Sequence, residues 1–555
     1  MLRALAERTW LFSSLLAFFF VASSAYGSIH TYSSIPFWDM WDGFVLFITR
    51  LQDGDYGAFF TRHVDHVIFW TNSLFWADFK LFEGNVGVLI AANYVLVAVL
   101  CGEFAYLIHR LSDGQAGKRL WLNVVLVIVA LLFSWAQKEN LTWAFQSQMF
   151  LTLIVPLAGF IFFWRSVETG KTGYFALSLA LGAASVGAMA NGVFALPILF
   201  LCALRCKTHW SRPLAIALVA AAVFAWFFSG YSPASSQKGG LHVLVEQPLA
   251  AMRYVLVYLG SPTYYALGHP GLDVCAVVGG LVALVSSVLL ARLLLQRELG
   301  ASLPAGAILL YCLLTAVATA SGRLTFGTEQ AVSSRYTTSV LTAWSAVITL
   351  GAAWFAQAWP RRFALFSSAL VLAPLACVPL QLHAFDRAPD FRFDKAVAGL
   401  AIALQVHDQK QIEFTFPWVN ILFELSEKAN QRQILMFGEP RYAGIRASIG
   451  KPTNKLPQGA CDVTAVQSEA IPDETRFRRV SMQLTMPSSA VWPQYVDLLT
   501  DDGRLAGRLI VDTFGSIPSP HSEKKAATMR GYVLAGEAPS ALTPQAGTYS
   551  CKLTP

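Results

Sequence analysis

Two tryptophans and two aspartates recur at a spacing of three in "PFWDMWDG", residues 36–43: Trp38, Asp39, Trp41 and Asp42. On a helix that spacing puts both carboxylates on nearly one face, and likewise both indoles. A carboxylate so placed can act as a general base, and an indole offers a flat apolar face to a sugar ring. The plainer reading is a helix cap, which favours Asp, with tryptophans at headgroup depth. The same loop continues into "RHVDH", 62–66, where His63, Asp65 and His66 stand beside Arg62. Imidazole and carboxylate together can exchange protons or hold a divalent metal, although an exposed polar face of an in-plane helix would show the same residues.

Three more polar groups interrupt apolar surroundings. "SWAQKENLTWAFQSQMF", 134–150, places Lys138, Glu139, Asn140, Gln146 and Gln148 at the mouth of two apolar runs, where polar residues line cavities or simply solvate helix ends. "AMANGVFALP", 188–197, carries an Asn-Gly pair that turn chemistry alone explains. "GRLTFGTEQAVSSRYTT", 322–338, supplies Arg323 and Arg335 with Glu329 and Tyr336 nearby. A guanidinium binds phosphate oxygens in a two-pronged fashion, so this pair suits a lipid-linked phosphate. Snorkelling to headgroup phosphates is the competing account.

The elements that must position these residues are membrane helices. Only 14% of the 555 residues are charged and 55% are hydrophobic, far from the roughly 25% charge of soluble chains. Mean hydropathy is +0.49. The 39 Phe and 16 Trp suit lipid-facing helices with interfacial anchors. Apolar runs of about 16 to 22 residues fall near 9–27, 86–108, 119–136, 148–165, 173–190, 191–205, 212–229, 271–293, 303–320, 337–358 and 363–381. The pattern predicts a polytopic α-helical membrane protein of about eleven spans. The first run follows the basic stretch "MLRALAER" and reads as a retained signal anchor, a cleavable signal peptide being the alternative.

With a cytoplasmic N-terminus, Arg and Lys crowd into the short loops of one side, among them Arg110, Lys118, Arg119, Arg165, Lys171, Arg205, Lys207, Arg292, Arg361 and Arg362. The net charge of +7 is thus a topology signal and not a nucleic-acid footprint. The loops 28–85, 230–270 and 321–336, and everything after 382, then lie outside. The segment 66–82 is apolar enough to pass for a span. Counting it as one would reverse the charge bias, and Asn72, Asp78 and Lys80 favour a helix lying along the membrane. "FVLFITRL" reads the same way, which gives two in-plane helices joined at "QDGDYG".

Charge becomes frequent after 382. Residues 382–435 form a mixed connecting region, and 436–555 a small β-sandwich-like domain with strands at "VSMQLTM", "YVDLL", "RLAGRLIVDTF", "RGYVLAG" and "TYSCKL". Six of the eight cysteines lie in or beside the spans, whereas Cys461 and Cys551 bracket this domain and make one natural disulfide in an oxidising compartment. Neither a P-loop nor a dinucleotide glycine motif is present, so nothing supports a nucleotide-driven pump.

An N-terminal span, an acidic outside loop with in-plane helices, many further spans and an extracytoplasmic C-terminal domain resemble the GT-C superfamily of integral-membrane glycosyltransferases. The stretches "PFWDMWDG", "RHVDH", "ENLTWAFQSQMF", "ANGVFALP" and "SSRYTT" look like those of bacterial members, and the likeness covers roughly residues 1–381. The resemblance implies transfer of a sugar from a polyprenyl-phosphate donor to an acceptor outside the bacterial inner membrane: lipopolysaccharide or O-antigen, another envelope glycan, or a surface protein. It assigns the general base to Asp39 first and Asp42 second, in an inverting reaction. Arg323, Arg335 and, more weakly, Lys138 would hold the donor phosphate. Trp38, Trp41, His63, Asp65, His66, Glu139 and Gln146 would meet the acceptor or sugar. No cofactor is required, but His63 and His66 leave room for a divalent metal. The rival from another class is a transporter or flippase of a lipid-linked saccharide. It would place ionisable groups deep inside spans, where Glu103 is the chief example.

Overall fold

The computed structural model describes residues 8–113, 117–229, 240–386, 389–513 and 524–554. Most of the basic leader, residues 1–7, and part of the expected outside loop, 230–239, lie outside these. The chain forms two compact units: Met1–Ile29, Gly57–Leu74 and Leu89–Asp386 in the first, and His30–Tyr56, Phe75–Val88 and Arg387–Pro555 in the second. The loop 28–85 is therefore divided between them. Apolar packing draws its outer parts to the second unit: Phe44 meets Phe75 edge to face at 5.1 Å, and the Trp38 N–H donates to the Thr415 carbonyl at 2.7 Å.

Among the described residues, eight helices of the chain are long and apolar enough to cross a membrane: Thr9–Thr31, Val86–Ser112, Lys118–Thr142, Ala144–Thr169, Ser211–Ser229, Leu272–Leu295, Ser302–Phe326 and Ser334–Ala358. A ninth is the pair Phe363–Ala376 and Val378–Phe385, bent by 42°. The expected spans 173–190 and 191–205 are instead short helices, Thr172–Ala184 and Ala195–Arg205, of 13 and 11 residues. Neither reaches the roughly 20 residues a bilayer requires. They meet at two 3₁₀ turns where Gly192 is indispensable, since a Cβ there would sit 2.0 Å from the Ser185 carbonyl oxygen.

Buried polar side chains tie the helices of the first unit together. Gln381 Nε2 donates to the Ser23 and Ser24 hydroxyls, both at 2.8 Å, while its Oε1 accepts the Trp135 N–H at 2.9 Å. Asn123 accepts from Ser13 and donates to the Ser367 carbonyl, both at 2.6 Å. Bonds of this kind contribute about 0.6–2 kcal/mol each between apolar helices. Helix Pro248–Leu259 lies so close to Leu272–Leu295 that a Cβ at Gly279 would fall 1.7 Å from the Leu256 carbonyl oxygen.

The in-plane segments are helical, at Leu46–Gln52 and Phe69–Phe82. Between them, "RHVDH" is a hairpin of strands β1 (Arg62–His63) and β2 (His66–Val67), with His63 opposite His66. The turn holds the β-branched Val64 at φ +55°, a conformation such residues rarely adopt. Asn72 and Asp78, read as solvent-facing, are buried.

In the second unit, the mixed region folds into helices Pro389–Leu404, Gln409–Ile412 and Val419–Gln431. The following domain is a closed barrel and not a sandwich. Strands β3 (Gln458–Ala470), β4 (Phe477–Pro487), β5 (Tyr495–Leu499), β6 (Leu505–Val511), β7 (Lys524–Leu534), β8 (Thr543–Ala546) and β9 (Tyr549–Leu553) follow the order β3-β4-β7-β6-β5-β8-β9. Closure comes from β3, which pairs antiparallel with β4 and parallel with β9. A Cys461–Cys551 disulfide joins those same two strands. Val463, Leu484, Val496, Leu509 and Met529 fill the interior. Every residue of β6 is buried, because helix Pro389–Leu404 packs against it.

One charged pin fastens helix to barrel. Asp408, 1% exposed, accepts the Arg479 fork at 2.9 and 2.7 Å and the Tyr532 hydroxyl at 2.9 Å. Removing one partner of such a pair leaves a charge without compensation, which costs about 3–5 kcal/mol. Arg479→Ala should therefore destabilise the second unit by about that amount, read as a lowered denaturation midpoint of the purified full chain. A change under about 1 kcal/mol would mean the pin is dispensable.

Candidate functional site

In the first unit, the structure gathers basic side chains that are distant in sequence. Around His66 stand Arg323, His63, Arg62 and Arg335. Loss of water contact pushes the His66 imidazole down, and those four positive groups push it the same way, to about 3. Its Nδ1 accepts the Ala190 N–H at 3.4 Å, as a neutral ring can. Arg62 is fixed by bonds to the Phe227 and Asp65 carbonyls and by the Phe227 ring, 4.4 Å from its guanidinium carbon. The His63 ring lies 4.9 Å from that of Phe145.

The arginine loop is held from below by the "KENLT" turn. Asn140 Nδ2 donates to the Arg335 carbonyl at 2.8 Å and to the Thr338 hydroxyl at 2.6 Å. Ser334 donates to the Ala136 carbonyl at 2.8 Å and accepts the Glu139 N–H at 3.3 Å. Tyr258, buried in helix Pro248–Leu259, packs its ring 5.8 Å from that of Tyr336. So many like charges in one place repel each other, and an anion among them would relieve that repulsion.

Beside this basin lies an apolar groove of about 400 Å³, lined by Phe60, Val67, Phe69, Trp70, Val186 and Trp226 among others. Val67 lines the groove and its chain neighbour His66 belongs to the basin. An apolar slot and a cationic basin one residue apart match a molecule with an apolar tail and an anionic head.

The other expected residues of this unit fall variously. Gln146 is buried, and its Oε1 meets no hydrogen-bond partner among the described residues. Asp65 and Glu139 are half-buried, and Lys138 is exposed. Groove and tyrosine backing were not signalled by sequence, since Phe, Trp and Tyr near helix ends read as membrane anchors.

In the second unit, Asp39 and Asp42 bring carboxylate oxygens within 4.8 Å of each other. The backbone between them is not a regular α-helix. Trp38 is left-handed at φ +48°, a 3₁₀ turn covers Trp38–Met40, and a π-turn covers Trp41–Val45. Strain of this kind gathers at functional sites. The two indoles part company: Trp38 is 40% exposed, whereas Trp41 is 0% exposed and presents no face to a sugar. Its burial follows from the π-turn, which rotates it into the core beside Phe44.

Sequence reading missed Lys395. This lysine is 9% exposed, with Nζ 4.2 Å from the Phe37 ring centre and 4.3 Å from that of Phe391. Burial pushes its ammonium down to about 7. It therefore loses its charge near neutral pH in the same unit as the aspartate pair.

No protein-family model matches the sequence, and no curated protein is similar enough to be matched to it. Whatever chemistry the chain performs has to be inferred from these residues.

The state of His66 is directly testable. The unfolded chain takes up its proton below about 6.5, whereas the folded chain resists until about 3. The unfolded state thus binds more protons in that window, and stability must fall as pH drops through it, with no contribution above about 7. His66→Gln should flatten the acid side of a melting-temperature profile taken between pH 7.5 and 4. Parallel profiles for the two proteins would show that the imidazole is protonated in the fold.

Proposed function

We propose that the protein is a membrane-embedded glycosyltransferase that takes its sugar from a polyprenyl-phosphate donor. The supporting observation is the cationic basin of Arg62, His63, His66, Arg323 and Arg335 next to the apolar groove of Val67, Trp70 and Trp226. Guanidiniums suit a phosphate that gains charge as the sugar leaves, because preorganised cations stabilise a developing anion more than its ground state. An isoprenoid is the natural occupant of a groove with almost no polar lining.

The remaining chemistry needs one group to deprotonate the acceptor hydroxyl as it attacks the anomeric carbon. In an inverting transfer this carboxylate takes the proton while the glycosyl–phosphate bond breaks. The GT-C resemblance gives that role to Asp39 or Asp42. The acceptor is an envelope glycan or a surface protein, and the setting a bacterial inner membrane with the reaction on its outer side. If a divalent cation takes part, the aspartate pair supplies two oxygen ligands of the six or more such ions prefer.

A second reading is favoured by one residue. Glu103 Oε2, inside helix Val86–Ser112, has no hydrogen-bond partner among the described residues, and intramembrane carboxyls commonly serve proton-coupled transport. Flipping of a lipid-linked saccharide is that alternative.

The test compares envelope glycans and surface proteins by mass spectrometry in cells carrying no gene, the wild type, Asp39→Asn, Asp42→Asn or Arg335→Gln. Transferase action predicts a sugar-sized mass lost in the deletion. It also predicts transfer lowered by about 10²–10⁴-fold in one of the Asn variants and by about 10²–10³-fold in Arg335→Gln, at normal protein levels. Unchanged profiles in all strains would sink the reading. Loss in the deletion and in Glu103→Gln, with both Asn variants active, would favour flipping.

A further inference from the structure

The second unit holds a cavity of about 190 Å³ whose lining includes Tyr32, Ser34, Arg392, Arg441, Gln494 and Thr513. No residue of it belongs to the basin or the aspartate pair. Helix Pro389–Leu404 delivers Arg392, which donates to the His30 carbonyl at 2.8 Å. Arg441 is braced by Glu439 Oε2, at 3.1 Å from Nε and 2.6 Å from a terminal nitrogen. Its backbone is fixed in turn by Arg508 of β6. That side chain forks onto Asp497 at 2.6 and 2.9 Å and donates to the Arg441 carbonyl at 2.9 Å and the Pro440 carbonyl at 3.1 Å.

Two guanidiniums thus face one cavity. Burial lowers the proton affinity of Arg392, and the charge of Arg441 lowers it further, so the pair is mutually repulsive. Glu439 offsets one of the two charges and leaves one in excess. Burial and Glu439 raise the Tyr32 phenol, which keeps it a neutral hydroxyl. The rest of the polar lining is hydroxyl and amide. At about 190 Å³ the space is below the roughly 300–1,000 Å³ of pockets for drug-sized ligands. It suits one ring and not a chain.

We propose that this cavity binds a single anionic sugar residue, its carboxylate or phosphate on Arg392 and Arg441 and its hydroxyls among Tyr32, Ser34, Gln494 and Thr513. A guanidinium pair recognises either anion through forked hydrogen bonds, while the hydroxyl and amide lining distinguishes a sugar from a bare ion. This site goes beyond the transferase reading and stands without it.

Isothermal titration of the purified full chain in detergent tests it with four probes: glucuronate, glucose 1-phosphate, glucose and inorganic phosphate. Glucuronate, glucose 1-phosphate or both should bind saturably, and glucose and inorganic phosphate at least about tenfold more weakly. Whichever anionic sugar binds identifies the acid group. Arg392→Gln should weaken that binding by about tenfold or more, because one charge-assisted contact is lost. Arg441→Gln also frees Glu439 and can disturb the fold, so Ser34→Ala serves as the second variant, with a severalfold loss and an unchanged melting temperature. Binding of glucose as tight as that of glucuronate, or of phosphate as tight as that of glucose 1-phosphate, would overturn the proposal. So would saturation by none of the probes, or full affinity in Arg392→Gln. None of these readouts depends on transferase activity.

Discussion

A buried amide carries much of the first unit. Asn140 sits at the start of one helix pair, and its two N–H groups go to the Arg335 carbonyl and the Thr338 hydroxyl, nearly two hundred residues away in the chain. In an apolar interior an amide left without partners costs several kilocalories per mole, so these bonds are close to obligatory. They fix the "SSRYTT" turn against the "KENLT" turn, and with it the direction from which Arg335 approaches His66. The bonds from Ser334 repeat the same junction one residue earlier. Arg323 arrives by a different route, at the end of helix Ser302–Arg323. The cationic basin thus results from two helix ends and a hairpin, each secured by hydrogen bonds to backbone that its neighbours cannot otherwise satisfy.

Helix ends also explain why the polar residues of the first unit concentrate as they do. Regular helices satisfy their own backbone in lipid, and irregular backbone is tolerated only where protein or a polar cavity receives it. The 3₁₀ turns at Trp135–Gln137, Ala190–Phe194, Leu324–Phe326 and Ser334–Tyr336 are such breaks. They are also where the sequence has "AQKEN", "ANGVF", "GRLTF" and "SSRYT". Polar side chains at these breaks have first a structural duty, and chemistry is added where two or three of them converge. Arg62, Arg323 and Arg335 converge at His66, whereas Lys138, one turn from Asn140, remains exposed.

How far the sequence could be read depended on periodicity. Runs of twenty apolar residues announce a span whatever their neighbours, and the long helices follow them closely. Alternation over five or more residues announces a strand, as in "VSMQLTM" and "YVDLL", which became β4 and β5. Where no period develops, the local reading fails. "RHVDH" is too short to show one and proved a hairpin; β3, with "QGACDVTAVQSEA", is polar on both faces for most of its length and went unnoticed. That omission also turned the barrel into an expected sandwich, because β3 is the strand that closes it. The pair Trp38 and Trp41 illustrates a subtler failure. Spacing puts both on one helical face, but a change from 3₁₀ to π geometry between them sends one to the surface and one to the core.

Charge is the property that sequence reads least well, since a lysine or arginine looks the same whether solvated or enclosed. Lys395 and Arg392 lie three residues apart in "FRFDKAV", a stretch with the composition of an ordinary exposed helix. The helix packs on β6, so this face has little water to receive them. Lys395 responds by sitting between two phenyl rings and surrendering part of its proton affinity. Arg392 cannot surrender its proton, because a guanidinium stays charged under all ordinary conditions. It needs acceptors instead, and the His30 carbonyl supplies one. A neighbouring Arg441 makes its position less favourable still. A fold under no functional constraint would relieve that repulsion with a neutral side chain at either position, which makes a charge supplied from outside the protein the economical explanation for keeping both.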